Sequence, residues 1–285
     1  MANLKDIRNR IKSVKSIQQV TKAMKMVAAA KMRRAQENME QARPYSSRII
    51  DLIQSLLPDV DRRLLPELQI REVNRLLLVI ITADRGMAGA FNTNVLKIAQ
   101  KEIDNHSIED IDIICIGKKA KSYFKNKDYN VIDTYIDFWN ELDYNFVMSL
   151  GNRVISHFTN QKVDSVKCIY NKFVNVAKQE VVFGNLLPLV IDEDLDTKDN
   201  EDRLYEPSKE EVVSSIIPRF LNTQIWQFLL ESFASEQAAR MLAMENATTN
   251  AQDMIKDLTL QFNKARQTAI TTEMLEIVSG AEALN

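Results

Sequence analysis

Glycine and proline are scarce in this chain of 285 residues, six of each, and they are unevenly placed. Neither occurs before Pro44, and neither occurs from Arg219 to Ser279. A stretch without breakers excludes frequent turns, so both ends of the chain read as unbroken helix. Cysteine is rarer still. Cys115 and Cys168 lie in apolar, β-like runs without CxxC spacing, which excludes a disulfide framework and reads as buried, reduced thiols. The two histidines, His106 and His157, have no metal-like companion three or four residues away. Any Ser-His-Asp or Cys-His set would need one of these two isolated rings, so no catalytic residue, metal site or cofactor site is assigned. No run approaches 18 uncharged apolar residues, and the amino terminus "MANLKDIRNRIKSVKS" lacks the apolar segment of a secretory signal.

A large excess of one charge is also missing: 37 lysines and arginines stand against 39 aspartates and glutamates. The balance conceals a separation along the chain. Residues 1–43 hold eleven basic and three acidic side chains, whereas residues 192–206 hold eight acidic and two basic ones. Charged partners are expected for such a chain. Tyr170, Tyr205, Trp139 and Trp226 do not interleave with the basic end, so the stacking platform of a single-strand binder is absent. Nucleic acid is not an expected partner.

What the ends do contain is periodicity. Leu4, Ile7, Ile11, Val14, Ile17, Thr21, Met24, Ala28, Met32, Ala35, Met39 and Ala42 recur by threes and fours, and the stripe resumes at Ile49, Ile53 and Leu56. One helix from about Leu4 to Leu57 follows, with Pro44 as the place for a bend. Near the other end, Met241, Met244, Thr248, Ala251, Ile255, Leu258, Phe262, Ala265, Ala269 and Thr272 alternate threes and fours as a coiled-coil seam. "SKEE" from Ser208 to Glu211 reads as a capping box, and Pro218 predicts a short helix, a break and then a long helix. At 1.5 Å per residue each long helix would run roughly 80–90 Å, longer than a compact domain of this size. The expectation is an antiparallel pair made from the two chain ends, much of it projecting.

The middle alternates strand and helix. "LLLVIIT" and "DIDIICIG" read as buried strands, each followed by helix; "YNVIDTYID" is a third strand, and "SVKCIYNKFVN" with "QEVVFGNLLPL" a closing hairpin. This alternation predicts an α/β fold, with a central Rossmann-like domain and a mostly parallel sheet, carried with the long antiparallel coiled coil. The expected divisions are an amino-terminal helix over 1–57, the central domain over 73–190, an acidic linker over 191–207 and carboxy-terminal helices over 208–285. The turn Gly86-Met87-Ala88-Gly89 after the first strand invites a nucleotide, with Asp84 and Arg85 beside it. It lacks the third glycine of a dinucleotide fingerprint and the Gly-Lys-Ser/Thr of a phosphate loop, so a tight strand-to-helix turn is preferred.

Three stretches resemble one family. "KDIRNRIKSVKSIQQVTKAMKMVAAAKMRRAQ", "ITADRGMAGAFNTNV" and the pair "ASEQAARMLAMENATTNAQDMI" and "NKARQTAITTEMLEIVSGAEAL" are similar, in order, to the gamma subunits of bacterial F-type ATP synthases. Met87, Ala88 and Ala90 depart from that family's commoner Gly-Leu-Cys-Gly-Gly turn. The resemblance implies a non-catalytic rotor shaft. It would couple proton flow through a membrane c-ring to ATP synthesis on a ring of alpha and beta subunits, with epsilon as a neighbour. It also implies roles. Arg266 and Gln267 would meet a beta-subunit loop, and Lys22, Lys25, Lys31, Arg33 and Arg34 would face acidic beta loops. Ile277, Val278, Ala281 and Leu284 would form the tip in an apolar bearing, and Tyr205 and Glu206 would lie near the c-ring. Neither cysteine has the regulatory neighbour found in the chloroplast form, and the expected location is the cytoplasmic face of a bacterial plasma membrane. A static coiled-coil scaffold, and less strongly a nucleotide-dependent α/β enzyme, are the alternatives.

Overall fold

The computed structural model describes residues 4–56, 65–106, 110–139, 142–189, 206 and 208–282. Leu57 and nearly all of the expected acidic linker lie outside them. The chain divides into two compact units, one made of residues 1–28 with 240–285 and the other of residues 29–239. Two long helices contribute to both: α1 (Leu4–Leu56) and α5 (Lys209–Glu282).

The larger unit is built on a five-stranded sheet, β1 (Leu76–Ile81), β2 (Ile111–Ile116), β3 (Asn130–Tyr135), β4 (Ser165–Phe173) and β5 (Gln179–Leu187). The strand order is β3-β2-β1-β4-β5, parallel throughout except for the antiparallel β4–β5 hairpin. Helices α2 (Phe91–Asp104), α3 (Lys118–Phe124) and α4 (Tyr144–Thr159) complete the alternation that the sequence predicts. Strand β1 is buried at every position because both faces are covered. Leu76, Leu78 and Ile80 pack with Val95, Ala99 and Ile103 of α2 and with Ala120 and Phe124 of α3. Leu77, Val79 and Ile81 turn the other way, toward Val147, Leu150 and Val154 of α4, Ile49, Ile53 and Leu56 of α1, and α5.

The α5 row on that second face is Val213, Ile217, Leu221, Ile225 and Leu229, spaced by fours and buried throughout. It explains a departure from expectation. The helix does not break at Pro218 but runs through it. A proline in a helix interior costs about 3 kcal/mol, whereas burying a side chain of this size stabilises by roughly 1.5–3 kcal/mol each. Five such residues outweigh one lost hydrogen bond. Gly151 of α4 lets α5 approach closely, since a Cβ there would stand 1.8 Å from Asn222 Oδ1. At the start of α5, Ser208 Oγ accepts from the Glu211 N–H at 3.2 Å, the cap that "SKEE" predicts. Pro44 likewise lies inside α1 without ending it.

The smaller unit pairs the first part of α1 with the second part of α5. Ile11, Val14, Ala251, Ile255 and Leu258 form its dry cluster. Arg8 lies over the Phe262 ring at 5.5 Å, Thr21 meets Thr248, and Lys25 meets Glu245. These partners rise in one helix as they fall in the other, so the two run antiparallel. Two assignments change. Ile17 is 55% exposed, and the partly covered residue is Gln18, which keeps the strict heptad 7, 11, 14, 18, 21, 25, 28. On α5 the covered row ends at Ala265; Ala269 and Thr272 are exposed.

One carboxyl in the larger unit is costly. Glu231 of α5 is buried, with Oε1 accepting from Gln227 Nε2 at 2.9 Å. Burial pushes its pKa up, against the opposing pull of the Gln227 bond and of Lys172 and Arg43. The folded state therefore binds this proton more tightly than the unfolded chain does. Ionisation costs stability above the folded value, and the cost vanishes below the unfolded one. Glu231→Gln keeps the acceptor and removes the charge. Its melting temperature is expected to exceed wild type at about pH 8, with the gain gone by about pH 4, as read by circular dichroism.

Candidate functional site

The glycine turn after β1 comes first, because an open parallel sheet binds ligands at the carboxyl ends of its strands. Here those ends are tied to one another. Thr82 Oγ1 donates to the Ile116 carbonyl at 3.0 Å and accepts from the Ala120 N–H at 2.9 Å. Gly117 follows β2 with φ of +93°, and a Cβ on it would fall 2.1 Å from the Thr82 carbonyl oxygen. Only glycine permits that approach. Asp84 Oδ1 accepts from the Lys118 N–H at 2.9 Å, and its Oδ2 accepts from the Asp137 N–H at 3.0 Å. The carboxylate thus caps α3 and pins the loop after β3. Ala83, Ala88 and Phe91 pack together with Ala239 of α5, which fills the space beside the turn. Asp84 holds backbone here, and the turn is a clasp. Met87 stands on it with φ of +61°, exposed.

Other chemistry is equally sparse among the described residues, where no group of histidine, cysteine and carboxylate side chains is arranged to hold a metal ion. His106 Nδ1 lies 3.0 Å from the Glu102 carbonyl oxygen. His157 is buried on α4, its pKa lowered by burial and then by Arg153 and Lys162. Both cysteines are buried, and burial pushes the Cys115 thiol up to about 12. No described helix is long and apolar enough to cross a membrane.

Most of the residues singled out for partner contact fall on the long helices. In the smaller unit, Lys22 is exposed, while Lys25 Nζ donates to Glu245 Oε1 at 2.7 Å. Every residue from Arg266 to Ala281 is exposed, Arg266, Gln267, Ile277, Val278 and Ala281 among them. The reason is local: the covered row of α5 ends at Ala265, and beyond it the helix lies bare. Ile270, Met274, Leu275, Ile277 and Val278 make this bare end apolar. In the larger unit, Arg33 and Arg34 are exposed and Lys31 is half-buried. Glu206 is exposed; Tyr205 and Leu284 lie outside the described residues.

Sequence periodicity missed two features. One is the polar pairing of Thr21 with Thr248 and of Lys25 with Glu245, for which strict heptad counting through Gln18 was the available signal. The other is an exposed apolar strip on α1, Ile17, Val20 and Val27, hidden by assigning Ile17 to the seam.

Because Asp84 supports two backbone N–H groups, Asp84→Ala is expected to lower the unfolding free energy by ~1 kcal/mol, the usual worth of a lost cap. A urea titration followed by circular dichroism measures it, and an unchanged midpoint would remove the clasp assignment.

The family model described as ATP synthase matches residues 3–284. The ATP synthase gamma chain of Prosthecochloris aestuarii is 46% identical over all of this chain and 99% of its own length. That of Chloroherpeton thalassium is 43% identical, again over all of this chain and 99% of its own. Among solved structures, a chain of the Euglena gracilis mitochondrial ATP synthase OSCP/F1/c-ring assembly aligns with a TM-score of 0.68. Its identity is 24%, and the alignment covers 99% of this chain and 94% of that one. A chain of the rotor from the same organism's enzyme aligns at 0.65 over 94% and 98%, likewise at 24% identity. Identity sustained over nearly the whole of both sequences settles the relationship: the chain belongs to the family of ATP synthase gamma chains.

Proposed function

We infer that this protein is the central rotor shaft of a bacterial ATP synthase. It couples proton flow through a membrane c-ring to ATP synthesis on a ring of alpha and beta subunits, and it holds no catalytic residue itself. The observation that carries this is the bare end of α5. A single helix exposing Ile270, Met274, Leu275, Ile277 and Val278 presents a continuous apolar surface to water, and such a surface marks a contact. Inside a ring it is covered. Arg266 and Gln267 stand at its base, where a guanidinium can make charge-assisted, paired bonds to a carboxylate of a beta loop.

The exposed basic residues suit the same setting. Lys22, Arg33 and Arg34 offer cations to acidic beta loops, with Lys31 beside them less fully exposed. Lys25 is taken up by Glu245 and contributes less. Attraction to three equivalent loops does not lock a rotor, because what is lost at one position is regained at the next. Work is transmitted only if contact energies differ among the states of the catalytic sites, and that coupling runs both ways. ATP hydrolysis must then turn the shaft in reverse. Ile277, Val278 and Ala281, followed by Leu284, belong to the apolar bearing; Tyr205 and Glu206 belong near the c-ring, with epsilon as a further neighbour. The assembly sits at the cytoplasmic face of the plasma membrane.

Two measurements test this. A visible probe fixed to the central sheet of the assembled complex should rotate in one direction on addition of ATP; a stationary probe would leave a static scaffold. Arg266→Ala with Gln267→Ala removes a charged contact worth about 1.5–3 kcal/mol, so ATP synthesis should fall roughly tenfold while the helix content of the chain is unchanged. Normal synthesis by that variant would remove these two residues from the beta contact.

A further inference from the structure

A cavity of about 260 Å³ opens between α1, α4 and α5 in the larger unit. Its lining is Ala42, Tyr45 and Ser46 of α1, Tyr144 at the start of α4, and Thr223 and Trp226 of α5. A mismatch of size leaves the space open. Ala42, Ser46 and Thr223 are small, and the rings beside them do not close over the gap. Tyr144 and Trp226 stand edge to face, their centroids 6.3 Å apart and their planes at 71°. Such a pair offers an incoming ring one face to stack on and one edge to meet, the two arrangements that aromatic rings prefer. Tyr45 is 53% exposed and Tyr144 38%, so the space is reached from water.

The hydroxyls of the lining decide what else a ligand must carry. Ser46 Oγ donates to the Ala42 carbonyl at 3.1 Å, and Thr223 Oγ1 donates to the Arg219 carbonyl at 2.8 Å. A hydroxyl has one proton to give. Tyr144 is hydrogen-bonded to Thr223 and burial pushes its pKa up, so it is the protonated phenol that donates to Thr223. Three of the four lining hydroxyls therefore meet a ligand as acceptors. An anion would face their lone pairs. A cation would face the charge of Arg219, which is felt at Tyr144. Both signs are disfavoured, and an N–H or O–H donor is favoured.

We propose that this cavity is a binding site for a small, flat, uncharged aromatic molecule with an N–H or O–H donor, of the indole or phenol class. Drug-sized ligands occupy pockets of roughly 300–1,000 Å³, so a smaller space takes one ring or two fused rings. The ring stacks among Tyr144, Trp226 and Tyr45, and its donor points to Ser46 or Thr223. Bound there, the ligand ties α1 to α4 and α5. The site lies wholly within the larger unit and does not depend on the shaft role inferred above.

The test uses the full chain labelled with nitrogen-15 in its two tryptophans, Trp139 and Trp226, with Trp139→Phe assigning their indole N–H resonances. Titration with indole should shift the Trp226 resonance saturably, with half-saturation at about 1 mM or below, and leave Trp139 in place. Benzofuran has the same shape but an oxygen where indole has its N–H. It should bind about fivefold more weakly, the usual net worth of one hydrogen bond. Ala42→Leu fills the cavity and should abolish the shift. Ser46→Ala removes an acceptor, so it should weaken indole by a similar factor and leave benzofuran unchanged; it carries the test if Ala42→Leu does not fold. An unmoved Trp226 at about 5 mM indole, equal shifts at both tryptophans, undiminished binding by folded Ala42→Leu, or equal affinity for indole and benzofuran would each overturn the proposal.

Discussion

Burial of the Val213-to-Leu229 row against the sheet keeps α5 helical through a proline that would otherwise end it. The rest of α5 depends on that continuity. The same helix then changes its spacing, from fours where it lies on a sheet to alternating threes and fours where it pairs with α1. Each spacing suits the surface it meets. A row of fours covers one broad face, and the heptad keeps a narrow stripe toward a single partner helix.

A Rossmann-like sheet suggests a ligand at its strand ends, and this molecule shows how that potential is used for other ends. The groups that would meet a phosphate are spent on the protein's own backbone. Asp84 accepts from two N–H groups, Thr82 bridges β2 and α3, and Gly117 presses against a carbonyl. Ala239 closes the space beside them. The strand ends are taken up by the protein's own contacts, and the chain belongs to the non-catalytic gamma chains of a larger assembly. Fold and chemistry are separable here in the usual sense that sites are grafted onto folds.

The paired helices show a second economy. Small residues along the seam let two axes come close, and a polar layer of Thr21 with Thr248 and Lys25 with Glu245 interrupts the apolar stripe. The bare end of α5 makes the complementary choice. Its side chains are apolar and exposed, so its free energy is lowered only by a surface outside the chain.

Much of this was legible beforehand. Breaker-free ends, threes and fours, and strand–helix alternation lead to α1, α5 and a mostly parallel sheet, because period and propensity act over a few residues and need no knowledge of the fold. Arg266 and Gln267, singled out by the family resemblance, are both exposed. Other features needed the tertiary structure. Pro218 reads as a break until the row beneath it is known to be buried, since local cost is visible in sequence and distant compensation is not. Ile17 reads as seam by hydrophobicity, yet Gln18 takes the place, because a helix partner selects angular position rather than residue type. Lys25 reads as a free cation until Glu245, 220 residues away in the chain, is found opposite. Sequence alone determined where helix and strand form, except for the continuity of α5 through Pro218. Which side chains those elements spend on each other, and which they leave for a partner, was decided only when distant segments met, because charge and hydrogen bonding are settled by distance in space.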